Sequence, residues 1–157
     1  MRESGTLRAF LKLNGKERVI VLASAAALLC TWTGLRIFGF SGWKNTMLRL
    51  SRENSGGVRM SLDKTKALAS LTTATARRFF FSTSCLEQSL VIWFLLRRRG
   101  APAVLRFGGR KEGGRFEAHA WVESEGVVLN DDGAVRQNFV PFSPLEEPPV
   151  ALEKYTH

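Results

Sequence analysis

Ser84-Cys85-Leu86-Glu87-Gln88-Ser89-Leu90 opens a helix that carries a cysteine in its first turn. Ser84 and Glu87 have the spacing of a capping box, in which each side chain satisfies a backbone N–H of the other. Leu86, Leu90, Trp93, Phe94 and Leu96 then supply an apolar face at helical spacing. The run Arg97-Arg98-Arg99 complements the negative end of the helix dipole, and Gly100 and Pro102 stop the helix. Beyond it the period changes. Ala103 to Phe107 reads as a strand and Gly108 to Gly114 as a turn rich in glycine and charge. Arg115 to Glu123 alternates, with Phe116, Ala118, Ala120 and Val122 on one face and Glu117, His119, Trp121 and Glu123 on the other. Ser124-Glu125-Gly126 reverses the chain, and Val127 to Asp131 returns as a strand. From Pro141 on, prolines and acids predict an irregular tail. A helix followed by hairpin-connected strands implies an α+β fold with an antiparallel sheet.

These positions allow a defined chemistry. A helix N-terminus favours the thiolate form of a cysteine, and its unpaired backbone N–H groups can hold an oxyanion. Cys85 is therefore the candidate nucleophile. His119, in mid-strand between two small alanines, is the candidate base that takes the thiol proton and returns it to a leaving amine. Asp131 reaches back from the next strand as the candidate group that orients the ring. Asp132 is its rival, and Glu117 and Glu123 are further carboxylates on the His119 face. Trp121 is a candidate to shelter the site or line a substrate groove. Each residue alone has a bland explanation: a buried small hydrophobe, a structural histidine, a turn signal, a packed aromatic. The order of helix-start Cys, strand His and next-strand Asp sets a triad level with those explanations.

Further toward the N-terminus, Leu7 to Leu13 is a short basic amphipathic piece broken by Asn14-Gly15. A longer helix is predicted from Lys16 to about Phe38. Its stretch from Val19 to Leu35 carries no charge and lies at the lower edge of the length needed to cross a membrane. A core or interface helix is the first reading, membrane association the second and a cleaved signal the third. Ser51 to Gly57 reads as a loop, and Ser61 or Asp63 as the cap of a helix over Lys64 to about Arg78. The expected organisation is a helical portion over 1–60, a catalytic core over 61–145 and an irregular tail over 146–157.

The chain of 157 residues, 45% hydrophobic and 24% charged, suits one folded domain. Its net charge is +9, but residues 1–60 hold 10 Lys/Arg against 3 Asp/Glu. The basic excess thus lies outside the stretch that looks catalytic. It suits nucleic acid, anionic lipid, an acidic peptide or simply a solvated face, and no nucleic-acid motif accompanies it. Two cysteines, Cys30 and Cys85, form no disulfide framework, so free thiols in a reducing compartment are expected. One internal histidine and no cysteine cluster imply no metal.

Cys85-Leu86-Glu87-Gln88-Ser89-Leu90, Leu95-Leu96-Arg97-Arg98-Arg99-Gly100, Phe116-Glu117-Ala118-His119-Ala120-Trp121-Val122-Glu123 and Leu129-Asn130-Asp131 together resemble the leader peptidase of lasso peptide biosynthesis. That family belongs to the transglutaminase-like superfamily, and the resemblance is strong over residues 79–142. It implies a transglutaminase-like (papain-like) cysteine peptidase core preceded by an N-terminal helical portion. It also implies Cys85 as nucleophile, His119 as base and Asp131 as orienting acid, with no cofactor. Gln88 is left unassigned as an oxyanion donor. The implied activity is removal of a leader from a ribosomally made precursor peptide, after which an asparagine-synthetase-like lasso cyclase closes a ring. The first 60 residues do not resemble the winged-helix-like leader-recognition domain fused in some members, so a separate leader-recognition protein is the expected partner. A cytoplasmic location is implied, with membrane-surface contact through the N-terminal helix left open. The rival readings are a transglutaminase-like acyl transferase and a non-catalytic scaffold that recruits precursor and cyclase.

Overall fold

The computed structural model describes residues 11–51, 60–79 and 82–142. The expected piece Leu7 to Leu13 lies partly outside these residues, as does the expected loop over 51–57; the tail over 146–157 lies wholly outside them.

Helix α1 spans Gly15–Ser51. Asn14 starts it: its Oδ1 accepts from Glu17 N at 2.9 Å, and Glu17 Oε2 accepts from Asn14 N at 2.8 Å. Gly39 interrupts the helix at φ 66°, ψ 179°, a region open only to glycine. The first segment therefore ends at Phe38, as expected, and the chain turns back on itself. A second helical segment follows that sequence reading did not place. Trp43 fills the space that a Gly34 side chain would occupy, and its Nε1 donates to Thr31 Oγ1 at 3.3 Å.

Helix α2, Leu62–Arg77, buries Thr65, Leu68, Ala69, Thr72 and Ala76 along one face. Thr72 Oγ1 and Ser24 Oγ share a hydrogen bond of 2.9 Å, which small side chains on both helices allow. Helix α3, Cys85–Arg97, is the centre of the molecule. Leu90, Val91, Ile92, Trp93, Leu95 and Leu96 are all buried, because α1, α2 and the sheet cover the helix on several sides. Leu28 and Met47 of α1 share one core with Leu68 of α2, Leu90 of α3 and Val122 of the sheet. Among the described residues, 15–51 and the part from 60 onward thus share one core.

The sheet is antiparallel, in the order β3 (Val127–Val128), β2 (Arg115–Ser124), β1 (Val104–Glu112), β4 (Val140–Pro141). Strands β1, Val104–Glu112, and β2, Arg115–Ser124, pair along their whole length. The expected turn over Gly108 to Gly114 is corrected: the strand continues to Glu112 and only Gly113-Gly114 turns. Gly108 and Gly109 are glycines because aromatic rings from neighbouring strands lie where their side chains would be. Glu125 and Gly126 reverse the chain with φ of 49° and 77°. The returning strand β3 is only Val127–Val128, shorter than the expected run to Asp131. A short helix α4, Val135–Asn138, leads into β4, Val140–Pro141, which pairs with β1 at the sheet edge. Pro141 therefore sits in an edge strand, where its missing N–H is tolerated, rather than in an irregular tail.

Candidate active site

Cys85 is the first residue of α3 and is partly exposed. The capping box seats it: Ser84 Oγ accepts from Glu87 N at 3.2 Å, and Glu87 Oε2 accepts from Ser84 N at 2.7 Å. The N–H groups of Cys85 and Leu86 belong to the first turn, where a helix offers them no acceptor of its own. Arg36 of α1 reaches Glu87 Oε1 at 3.4 Å and ties the helix start to the N-terminal portion. Gln88 donates through Nε2 to Thr83 O at 3.2 Å and to Thr83 Oγ1 at 3.1 Å. Its amide thus holds the chain that enters α3.

His119 and Asp131 are brought together. His119 Nε2 donates to Asp131 Oδ2, since a carboxylate only accepts. Asp131 Oδ1 accepts from Asp132 N at 2.7 Å, so both carboxylate oxygens are held. This leaves His119 Nδ1 as the ring nitrogen available for proton exchange. Asp132 serves the turn instead, accepting from Ala134 N at 3.3 Å.

The His119 ring stacks against two aromatic neighbours. Trp121 stacks at 6.4 Å and 18°, and Phe139 at 5.1 Å and 29°. Trp121 is only 1% exposed and stacks against the His119 ring. Glu123 fixes the indole, accepting from Trp121 Nε1 and from Arg136 Nε at 2.8 Å each. Burial pushes the Glu123 carboxyl up, but the hydrogen bonds from Arg136 and Trp121 and the charges of Arg136 and Arg106 outweigh it and hold it below its ordinary range. Phe139 was missed because it falls in a stretch without strand or helix periodicity.

A buried polar clamp joins the three elements. Ser89 Oγ donates to Ala120 O at 2.9 Å, and Asn130 Nδ2 donates to Ser89 Oγ at 2.9 Å. Asn130 Oδ1 in turn accepts from Val122 N at 2.8 Å, taking the place of a strand partner. Ser89 lies one helical turn after Cys85 and on the same helix face. Ala120 follows His119, and Asn130 precedes Asp131. The clamp thus sets the register of the helix, the strand and the turn that carry the candidate residues. Its sequence signal is a serine four residues after the cysteine, where the apolar run of the helix begins.

A cleft of about 900 Å³ opens beside Asp131. It lies between the second half of α2 and the turn after β3, with Ser70, Thr73, Arg77 and Arg78 on one wall and Asp131 and Asp132 on the other. Cys30 and Cys85 are both free thiols.

A family model described as the transglutaminase-like superfamily matches residues 27–143. Comparison with curated proteins and with solved structures finds no match.

Proposed function

The chain belongs to the transglutaminase-like superfamily, and from that premise we propose that it is a cysteine peptidase that removes the leader of a ribosomally made precursor peptide in lasso peptide biosynthesis. The superfamily supports peptidase or acyl-transfer chemistry in general. The narrower reading rests on the resemblance of residues 79–142. The observation that carries the chemistry is the His119–Asp131 pair, tied through the Ser89–Ala120 hydrogen bond to the helix that begins at Cys85.

In this mechanism the Cys85 thiol gives its proton to His119 Nδ1, while Asp131 holds Nε2–H and stabilises the imidazolium. The thiolate attacks the scissile carbonyl, and negative charge gathers on the carbonyl oxygen. The N–H of Cys85 and the positive end of α3 face that charge. The C–N bond breaks as His119 returns the proton to the leaving nitrogen, which frees the N-terminus of the core peptide. A water molecule, deprotonated by His119, then attacks the thioester carbonyl. The leader departs with a new carboxylate, and the proton returns to sulfur. The substrate is the precursor peptide. A separate leader-recognition protein presents it, and the freed amine passes to the asparagine-synthetase-like cyclase.

The test is a cleavage assay read by mass spectrometry. Precursor peptides encoded beside this chain are incubated with it, with and without a leader-binding partner, using wild type and Cys85→Ala. A single cut that needs Cys85 is expected. Cleavage by Cys85→Ala sinks the nucleophile assignment, and leader binding without any cut favours a scaffold. Transfer of the thioester to an added amine, with no free acid formed, favours the acyl transferase.

A further inference from the structure

We propose that α1 is a docking surface for an anionic phospholipid membrane, lying flat on it rather than crossing it. The helix is long and apolar enough to cross a membrane by length and composition, yet only 22% of its most apolar 18 residues are buried. The exposed part is ordered. Val19, Leu22, Leu29, Ile37 and Phe38 are each 45% or more exposed. Val19, Leu22, Leu29 and Ile37, together with exposed Ala26 and Thr33, fall at intervals of three and four residues. They form one stripe of about 27 Å at the rise of an α-helix.

The opposite face of the same helix argues against crossing a membrane. Ser24, Leu28, Thr31 and Gly34 are buried there, Ser24 is hydrogen-bonded to Thr72 of α2, and Arg36 reaches Glu87 of α3. To span, α1 would have to leave its own core. Lying in the interface keeps every one of these contacts and still buries the stripe.

Charge selects the partner. Residues 11–51 carry Lys12, Lys16, Arg18, Arg36, Lys44 and Arg49 against the single acid Glu17. The basic excess of this segment complements anionic headgroups, and the apolar stripe suits the acyl chains beneath them. Beside the stripe, Ala26 and Cys30 also line an apolar groove of about 360 Å³, together with Met47, Leu50 and Phe94. Arg98 stands among its lining residues, so an acyl chain and a phosphate find complementary groups side by side. The surface does not depend on the chemistry at Cys85.

The test is co-sedimentation of the full chain with vesicles of phosphatidylcholine alone or mixed with phosphatidylglycerol. Binding is expected to the mixed vesicles, weaker at high salt and weak to the neutral ones. Leu22→Gln together with Ile37→Gln should lower the partition on the order of tenfold or more for each side chain lost. Lys12→Glu with Lys16→Glu, which leaves the apolar stripe intact, should also lower it. Cleavage of a precursor in solution should be unchanged in both double variants. Absence of binding to phosphatidylglycerol vesicles overturns the proposal, as does binding unaffected by either double variant. A dimer in sedimentation velocity that Leu22→Gln with Ile37→Gln dissolves, with no vesicle binding, overturns it in favour of a second copy of the chain.

Discussion

Asn130 donates to Ser89 across 2.9 Å, and through that bond the turn carrying Asp131 is fastened to the helix that begins at Cys85. Ser89 passes the link on to Ala120 O, beside His119. Removing the Ser89 hydroxyl leaves the buried Ala120 carbonyl and the partly buried Asn130 amide short of a partner. Ser89→Ala should therefore destabilise the fold by about 1–3 kcal/mol in urea unfolding. It should also lower kcat, because it loosens the register between Cys85 and His119. A stability loss with kcat unchanged would mean that the clamp holds the core but not the catalytic geometry.

Asp131 and Asp132 are neighbours with different work. Asp131 accepts from the His119 ring, whereas Asp132 braces the turn at Ala134 N. Asp131→Asn should lower kcat by on the order of 10²-fold or more, since the amide no longer stabilises the imidazolium. Asp132→Asn should retain most activity, because asparagine suits the same turn. Steady-state cleavage rates of the two variants check this, and equal losses would sink the distinction.

Glu123 links pH to the setting of Trp121. Burial alone would raise its pKa, but hydrogen bonds from Arg136 and Trp121 and nearby positive charge leave it lowered. A carboxyl depressed on folding contributes stability above its unfolded range, and that contribution is lost as pH falls through the lower folded value. Wild type should therefore exceed Glu123→Gln in stability at neutral pH, and the gap should close under acid. Urea midpoints of both proteins between about pH 7 and pH 3 measure it. A gap independent of pH would show that the charge of Glu123 does not contribute.

The site was legible where its signals were local. The capping box Ser84–Glu87 and the stop at Gly100 are short-range patterns, and α3 lies where they put it. The break at Gly39 also agrees with a helix ending near Phe38, though the segment beyond it has no comparable signal. What was misread depends on distant residues. Gly108-Gly109 reads as a turn by composition, yet these glycines continue β1 because Trp121 and Phe139 crowd one and Phe116 and Phe142 the other. Val127 to Asp131 reads as a strand, yet the ladder ends early because the Asn130 side chain replaces it at Val122 N. Ser89 and Phe139 escaped notice for the same reason: a hydroxyl next to the polar first turn of a helix and a phenyl in an irregular stretch acquire meaning only beside Ala120 and His119.

Gly108 offers the sharpest test of how the aromatic pair supports His119. It stands opposite His119 in the β1–β2 register, and a Cβ there would lie 2.9 Å from the Trp121 ring and 3.0 Å from Phe139 Cβ. Its requirement is for space, since it is not among the glycines with positive φ. Gly108→Ala must displace one or both neighbours of the imidazole, at a cost of about 1–3 kcal/mol. Gly113→Ala makes a useful contrast. It meets no atom within 4 Å but strains a turn at φ 56°, at the far end of the hairpin. Both variants should lose stability, and only Gly108→Ala should lose kcat beyond what its unfolded fraction explains. Measuring kcat and urea stability under conditions where each variant is fully folded separates the two effects. Equal kcat in both would show that the packing of Trp121 and Phe139 does not govern the orientation of His119.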